Sequence, residues 1–153
     1  MRRKSLVAVA LAGSLVAAGL AAKDEFGTAK EAEAMVGRAV AHIKSEGTAK
    51  AYDDFTGKAA GFFDRDLYVV VYDLEGRVLA HGQNPKMVGK QILDLRDADG
   101  KEWIKERVEL TRTKGKFWHD YKFTDPITKK VLPKSTYCER VEDTAVCVGI
   151  YKR

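Results

Sequence analysis

Two stretches of this chain, LYVVVYD (Leu67–Asp73) and TAVCVGIY (Thr144–Tyr151), are apolar at both odd and even positions over residues 67–72 and 145–150. Side chains of a strand point alternately to its two faces. A strand that is apolar on both must be covered on both. This pair therefore belongs inside a sheet with something packed on each side. KFWHDYKFTD (116–125) interleaves polar residues and reads as a more exposed strand of the same sheet.

The rest of the pattern supplies the covers. Thr28 followed three residues later by Glu31 has the form of a capping box. Ala32, Met35, Val36, Ala39, Val40 and Ile43 then recur at helical spacing, which predicts one amphipathic helix ending before Gly47. A second short helical piece is expected over 49–55. After the first strand, DLEG is a hairpin turn with Gly76 suited to positive φ, and RVLAHG is the partner strand. NPKMVGKQILDL connects with one helical turn. Asp99 and Glu102 suggest a second capping box, opening a helix with Trp103, Ile104, Val108 and Thr111 on one side and ending near Gly115. Two hairpins follow, turning at Asp125-Pro126 and at Glu142-Asp143. The order predicts an α+β domain with about five antiparallel strands. The N-terminal helix covers one face, and the connecting segment with the second helix covers the other. A cover made partly of loop is a common place for a small-molecule cavity.

The chain opens MRRKSLVAVALAGSLVAAGLAAKDEF: three basic residues, an uncharged apolar run, then small residues near Ala21 and Ala22. That is the form of a signal peptide over 1–22, leaving a single domain over 23–153; an uncleaved membrane anchor is the rival reading. The full chain has 27 Lys and Arg against 22 Asp and Glu, net +5. Residues 1–22 carry three of the basic residues and no acidic one, so the remainder is 24 against 22, net +2. An exported chain of that charge has no electrostatic case for nucleic acid. With no further apolar run and a last strand that closes at the final residues, the expectation is a free-standing domain in the periplasm.

The only cysteines are Cys138 and Cys147. A two-residue loop at Glu142-Asp143 places Val141 opposite Thr144, and counting outward places Cys138 opposite Cys147, within disulfide range. An oxidising compartment permits the bond. Free thiols or a metal or redox role are the alternatives; the three histidines, His42, His81 and His119, are scattered, and no C-x-x-C is present. Catalytic templates are absent as well: no G-x-S-x-G, H-E-x-x-H, C-x-x-C-H or glycine-rich phosphate loop. Asp97-Ala-Asp99-Gly100 lacks the ligand spacing of a calcium loop and reads as a turn and helix cap. Neither enzymatic activity nor a cofactor is expected.

From Tyr68 onward the text becomes specific: Y-D-x-x-G-x-x-L-A-H, then N-P-K-x-V-G-K, a W-x-D-Y-K strand, a P-K-S-x-Y strand, and VGIYKR at the end. Over about 85 of the 153 residues, this resembles the single Cache domain of bacterial receptors. The resemblance implies a PAS-like extracytoplasmic sensor: a long N-terminal helix behind a five-stranded antiparallel sheet, and a pocket on the other face. Many such domains bind small carboxylates, and they sit in chemoreceptors or histidine kinases. The cysteine pair is not part of that pattern, and this chain has Asp125-Pro126 and Lys129 where relatives often have Asn-Pro at the turn and a Gly near Lys129.

The implied function is binding of a small organic acid, read out by a membrane receptor, kinase or transporter partner. A dimerisation module of the same fold, with a vestigial pocket and pairing through the N-terminal helix, is the alternative. Candidate binding residues are Lys134 for charge, His81 as a donor where the cover begins, and Tyr68, Tyr121 and Tyr137 as hydroxyls from apolar strands. Trp118 either walls the pocket or fills core, and Met87 is an apolar contact in the cover. Gly149 is expected to let a neighbouring side chain approach closely.

Overall fold

Residues 24–153 are described in a computed structural model of the chain. The signal-peptide reading of residues 1–22 lies outside them. Helix α1 (Ala29–Glu46) begins at the expected capping box: the Thr28 side chain accepts from the Glu31 backbone N–H, and Glu31 reaches back to the Thr28 N–H at 2.9 Å. It ends at Gly47, whose φ of 83° is left-handed backbone that glycine adopts freely. Helix α2 (Thr48–Thr56) follows directly.

Six strands form one antiparallel sheet: β1 (Phe63–Asp64), β2 (Leu67–Asp73), β3 (Val78–His81), β4 (Lys116–Thr124), β5 (Val131–Val141) and β6 (Thr144–Tyr151). The order is β1-β2-β6-β5-β4, with β3 pairing β2 beside the two-residue β1. The five expected strands are present, and β1 is the addition. As their all-apolar pattern requires, β2 and β6 are paired on both sides. The β5–β6 register sets Val141 opposite Thr144 and Cys138 opposite Cys147, and the two cysteines form a disulfide.

Strand alternation divides the core into two layers. Leu67, Val69 and Val71 of β2 and Val146 and Val148 of β6 pack under Ala32, Met35, Val36 and Ala39 of α1, with Phe55 of α2. The opposite face carries Tyr68, Val70 and Tyr72 of β2 together with Phe117 and Tyr121 of β4. Its cover is helix α3 (Trp103–Lys114) and the loop before it, which includes a 3-10 turn at Pro85–Met87.

The second capping box does not form. Glu102 occupies the cap position of α3 without a side-chain capping bond. Asp97 takes the local amides instead: its Oδ1 accepts from the N–H groups of Asp99 and Lys101, and its Oδ2 accepts from Lys122 N–H. The DAD stretch is thus a turn that also caps the outer edge of β4, where an unpaired strand would otherwise present free amides. None of the helices among the described residues is long and apolar enough to cross a membrane.

Candidate functional site

Between the pocket face and the α3 cover lies a nearly closed cavity of ≈ 20 Å³, about what one ordered water needs. Its polar groups come from five elements, β2, β3, α3, β4 and β5. Lys134 (β5) is 3 % exposed. Its ammonium donates to Tyr68 Oη at 2.8 Å and lies 4.5 and 4.6 Å from the ring centres of Tyr68 and Tyr151. Burial pulls the Lys134 pKa down, but the Tyr121 and Tyr68 oxygens raise it and prevail, so the amine is a cation at neutral pH. One of its three donors is used; the other two have no protein acceptor among the described residues.

Gly149 explains how a lysine crosses this floor. A Cβ there would overlap Lys134 Cε and Thr136 Oγ1. Only glycine at that position of β6 lets the Lys134 chain lie across the sheet, which answers the expectation of a close approach.

His81 ends β3 and stacks on Tyr68 with ring centres 5.4 Å apart. Its Nδ1 accepts from the backbone N–H groups of Gln83 (3.3 Å) and Asn84 (3.0 Å). A nitrogen that accepts carries no proton, so the ring proton is on Nε2, leaving that atom as a donor. Burial, and then the charge of Lys134, lower the His81 pKa from 6.5 to about 4. The tautomer set by the backbone is the neutral donor form.

Arg107, on α3, is 1 % exposed. Its guanidinium lies 4.9 Å from the ring centres of Trp103 and Tyr121 and 5.2 Å from that of Tyr72, and none of its three nitrogens has a well-formed hydrogen bond. Among the described residues, the other buried side-chain polar atoms in that condition are both ring nitrogens of His119 and Thr136 Oγ1. His119 Nε2 lies 3.2 Å from Glu106 Oε2 without good alignment. All of these residues surround Tyr121: Arg107 is over its ring, His119 is stacked on it, and Thr136 is next but one to its cross-strand partner Lys134. The nearest polar neighbours of Arg107 are the Tyr72 and Tyr121 hydroxyls, and Thr136 also faces Tyr121, so these loosely held groups keep donor capacity for a bound anion.

The structure brings together Tyr68, His81, Met87, Tyr121 and Lys134 around this cavity. It does not bring Trp118 and Tyr137 there. These two are directly opposite on β4 and β5 and pack against the α1 layer, where Trp118 Nε1 donates to Glu33 Oε1 at 3.0 Å. The reason is parity. Trp118 and Tyr121 are three apart, as are Lys134 and Tyr137, and residues an odd number apart in a regular strand face opposite ways. The core alternative for Trp118 is the one the fold adopts, and Tyr137 shares it.

Arg107 and Thr136 escaped the sequence reading. The signal for Arg107 was present: it stands four residues after Trp103 and four before Thr111, on the helix face identified as apolar. Thr136 follows Lys134 by two on the same strand face.

A helix-backed antiparallel sheet whose other face holds a covered, donor-lined cavity is the layout of a PAS-like sensor domain. The chain belongs to the single Cache domain 2 family, whose model matches residues 14–152. Cache domains are extracytoplasmic ligand-binding modules of signalling proteins. The fold is similar to that of a methyl-accepting chemotaxis protein from Vibrio parahaemolyticus, with a TM-score of 0.67 and 25% identity, covering 80% of this chain and 86% of that one. A Cache chemosensory domain described for carboxylic acid recognition aligns with a TM-score of 0.68 over 81% of this chain and 92% of its own, at 20% identity. A periplasmic sensor domain of a chemotaxis protein aligns with a TM-score of 0.65 at 25% identity, covering 81% and 90%. In sequence, the sensor histidine kinase MctS of Rhizobium johnstonii is 31% identical over 87 residues, which is 57% of this chain and 19% of that protein. The match thus spans about a fifth of that relative's length.

Proposed function

We propose that this domain binds a small organic carboxylate in the cavity beneath α3 and passes the bound state to a signalling partner. The observation that carries the reading is the lining itself: its ionic and hydrogen-bonding side chains are two buried cations, a neutral histidine donor and hydroxyls, with no carboxylate among them. A site of donors in an apolar enclosure suits an anion that brings its own acceptors. Lys134 supplies the charge, His81 Nε2–H a directional bond, and Tyr68 and Tyr121 the walls and hydroxyls.

The volume in this state argues for a closed cover. An outer depression of ≈ 350 Å³ shares Tyr68, His81, Met87 and Phe123 with the inner cavity, so displacement of Met87 or Phe123 joins the two. Binding then selects a cover position that a partner can read. The kinase and chemoreceptor relatives support a signalling role. Residues 1–22 support export to the periplasm with cleavage of the leader, and 23–153 acting there as the sensor unit.

The test is a thermal-shift panel on purified protein with short monocarboxylates, dicarboxylates, hydroxy and keto acids and amino acids. A ligand binding only the folded state at a hundredfold excess over Kd adds about 2.7 kcal/mol. The expected result is a rise in melting temperature confined to one acid class and lost in Lys134→Ala and His81→Ala. A flat panel with folded protein would sink the reading.

A further inference from the structure

Lys134 and Arg107 border the same small cavity, and neither forms an ion pair with any described residue. The nearby acids are engaged elsewhere. Glu106 turns to Lys101 at 2.9 Å and to His119; Asp120 pairs with Lys152 at 3.0 Å; Asp97 accepts three backbone amides. Burial and the charge of Lys134 keep His81 neutral. The site therefore holds two positive charges, cushioned by aromatic faces but not neutralised. Both charges adjoin Tyr121: Arg107 lies over its ring, and Lys134 is its direct cross-strand partner. Burial works to raise the Tyr121 pKa, while the charges of Lys134 and Arg107 lower it overall.

Resting on the carboxylate reading above, we infer that the ligand carries two negative charges: a small dicarboxylate, one end on Lys134 and the other on Arg107. A monocarboxylate would satisfy one cation and leave the second buried without a counter-charge. The ligand is small, because the inner cavity is small and opens toward the outer depression only past Met87 and Phe123.

Calorimetric titration of the purified chain decides it, using malonate and succinate against malonamate and succinamate, which match them in size but carry one charge fewer, with propionate, butyrate and sulfate alongside. The expected result is that a diacid binds at least tenfold more tightly than its half-amide, that Arg107→Gln brings the ratio toward one, and that Lys134→Gln weakens both. Should Arg107→Gln fail to fold by circular dichroism, the wild-type ratio decides alone. A half-amide or monocarboxylate binding as tightly as the diacid overturns the two-charge inference and leaves the carboxylate reading standing. Sulfate matching malonate overturns the dicarboxylate class. If no organic acid binds to the folded chain, both readings fall.

Discussion

His81 and His119 are buried, and both are neutral at physiological pH. Burial is the larger cause in each case; the charge of Lys134 adds to it at His81 and that of Arg107 at His119, taking each from 6.5 to about 4. A histidine whose folded pKa lies below its unfolded value contributes its full stability above about pH 6.5. Below that the unfolded chain takes up protons the folded chain refuses, and stability falls until the folded rings also protonate near pH 4. Each ring contributes on the order of 3 kcal/mol over that window. The urea midpoint should therefore drop between pH 6.5 and 4, and His119→Gln should flatten part of the slope; an unchanged slope would refute this assignment. A second outcome belongs to Gly149. In Gly149→Ala the new methyl takes the volume of the Lys134 chain, so the lysine must leave its bond to Tyr68. Ligand response should fall at least tenfold while far-ultraviolet circular dichroism still reports a folded sheet.

The two hairpin strands β5 and β6 carry the disulfide at the floor of the pocket layer, with Cys147 lining the cavity itself. Closing a ten-residue loop stabilises by roughly 2.5–3 kcal/mol on the chain-entropy model. Replacing both cysteines by alanine should lower the unfolding free energy by about that much, measured by urea titration under oxidising conditions, and reductant should then have no further effect. At the other layer, α1 depends on its first turn. Thr28→Ala removes the acceptor for the Glu31 amide and should cost about 1 kcal/mol, with no change in ligand affinity because α1 packs on the face away from the cavity. Lys129 holds a φ of 61° in the β4–β5 loop. A side chain thus bears left-handed backbone in this turn, with its ammonium donating to the Pro126 carbonyl.

Across the whole molecule, one guanidinium joins distant parts of the chain. Arg153 donates to Asp66 and to Asp125, both at 2.8 Å, and both carboxylates are fully buried. Asp66 in turn accepts from Gly27 N–H, and Phe26 lies under the guanidinium at 3.7 Å. Two residues earlier, Tyr151 donates to the Thr124 carbonyl and adjoins Tyr68, the acceptor for Lys134. Pocket, β4–β5 loop and the lead into α1 thus meet at the end of β6. Arg153→Ala strips a counter-charge from two buried acids and should destabilise by about 3 kcal/mol in urea titration. For Asp125, burial works to raise the pKa, but Thr128, backbone amides and Arg153 lower it overall. Its contribution is present above the ordinary carboxylate range and fades as pH falls through it, so the deficit of the variant should narrow in acid.

Periodicity alone determined the layers. Strands apolar on both faces had to lie inside the sheet, α1 had one stripe to bury, and the two-residue loop at Glu142-Asp143 brought Cys138 to Cys147, because local register is a matter of counting. Counting by twos would also have separated Trp118 from Tyr121 and Tyr137 from Lys134, since residue type says what a side chain offers and parity says to which face. Tertiary structure alone decided which helix residues close the pocket. Arg107 reads as an ordinary helical arginine until α3 is laid across Tyr72 and Tyr121, because burial and the absence of a counter-charge are properties of what surrounds a group and no spacing records them. The donor form of His81 is of the same kind: it comes from two amides of the following turn, and only the folded backbone aims them.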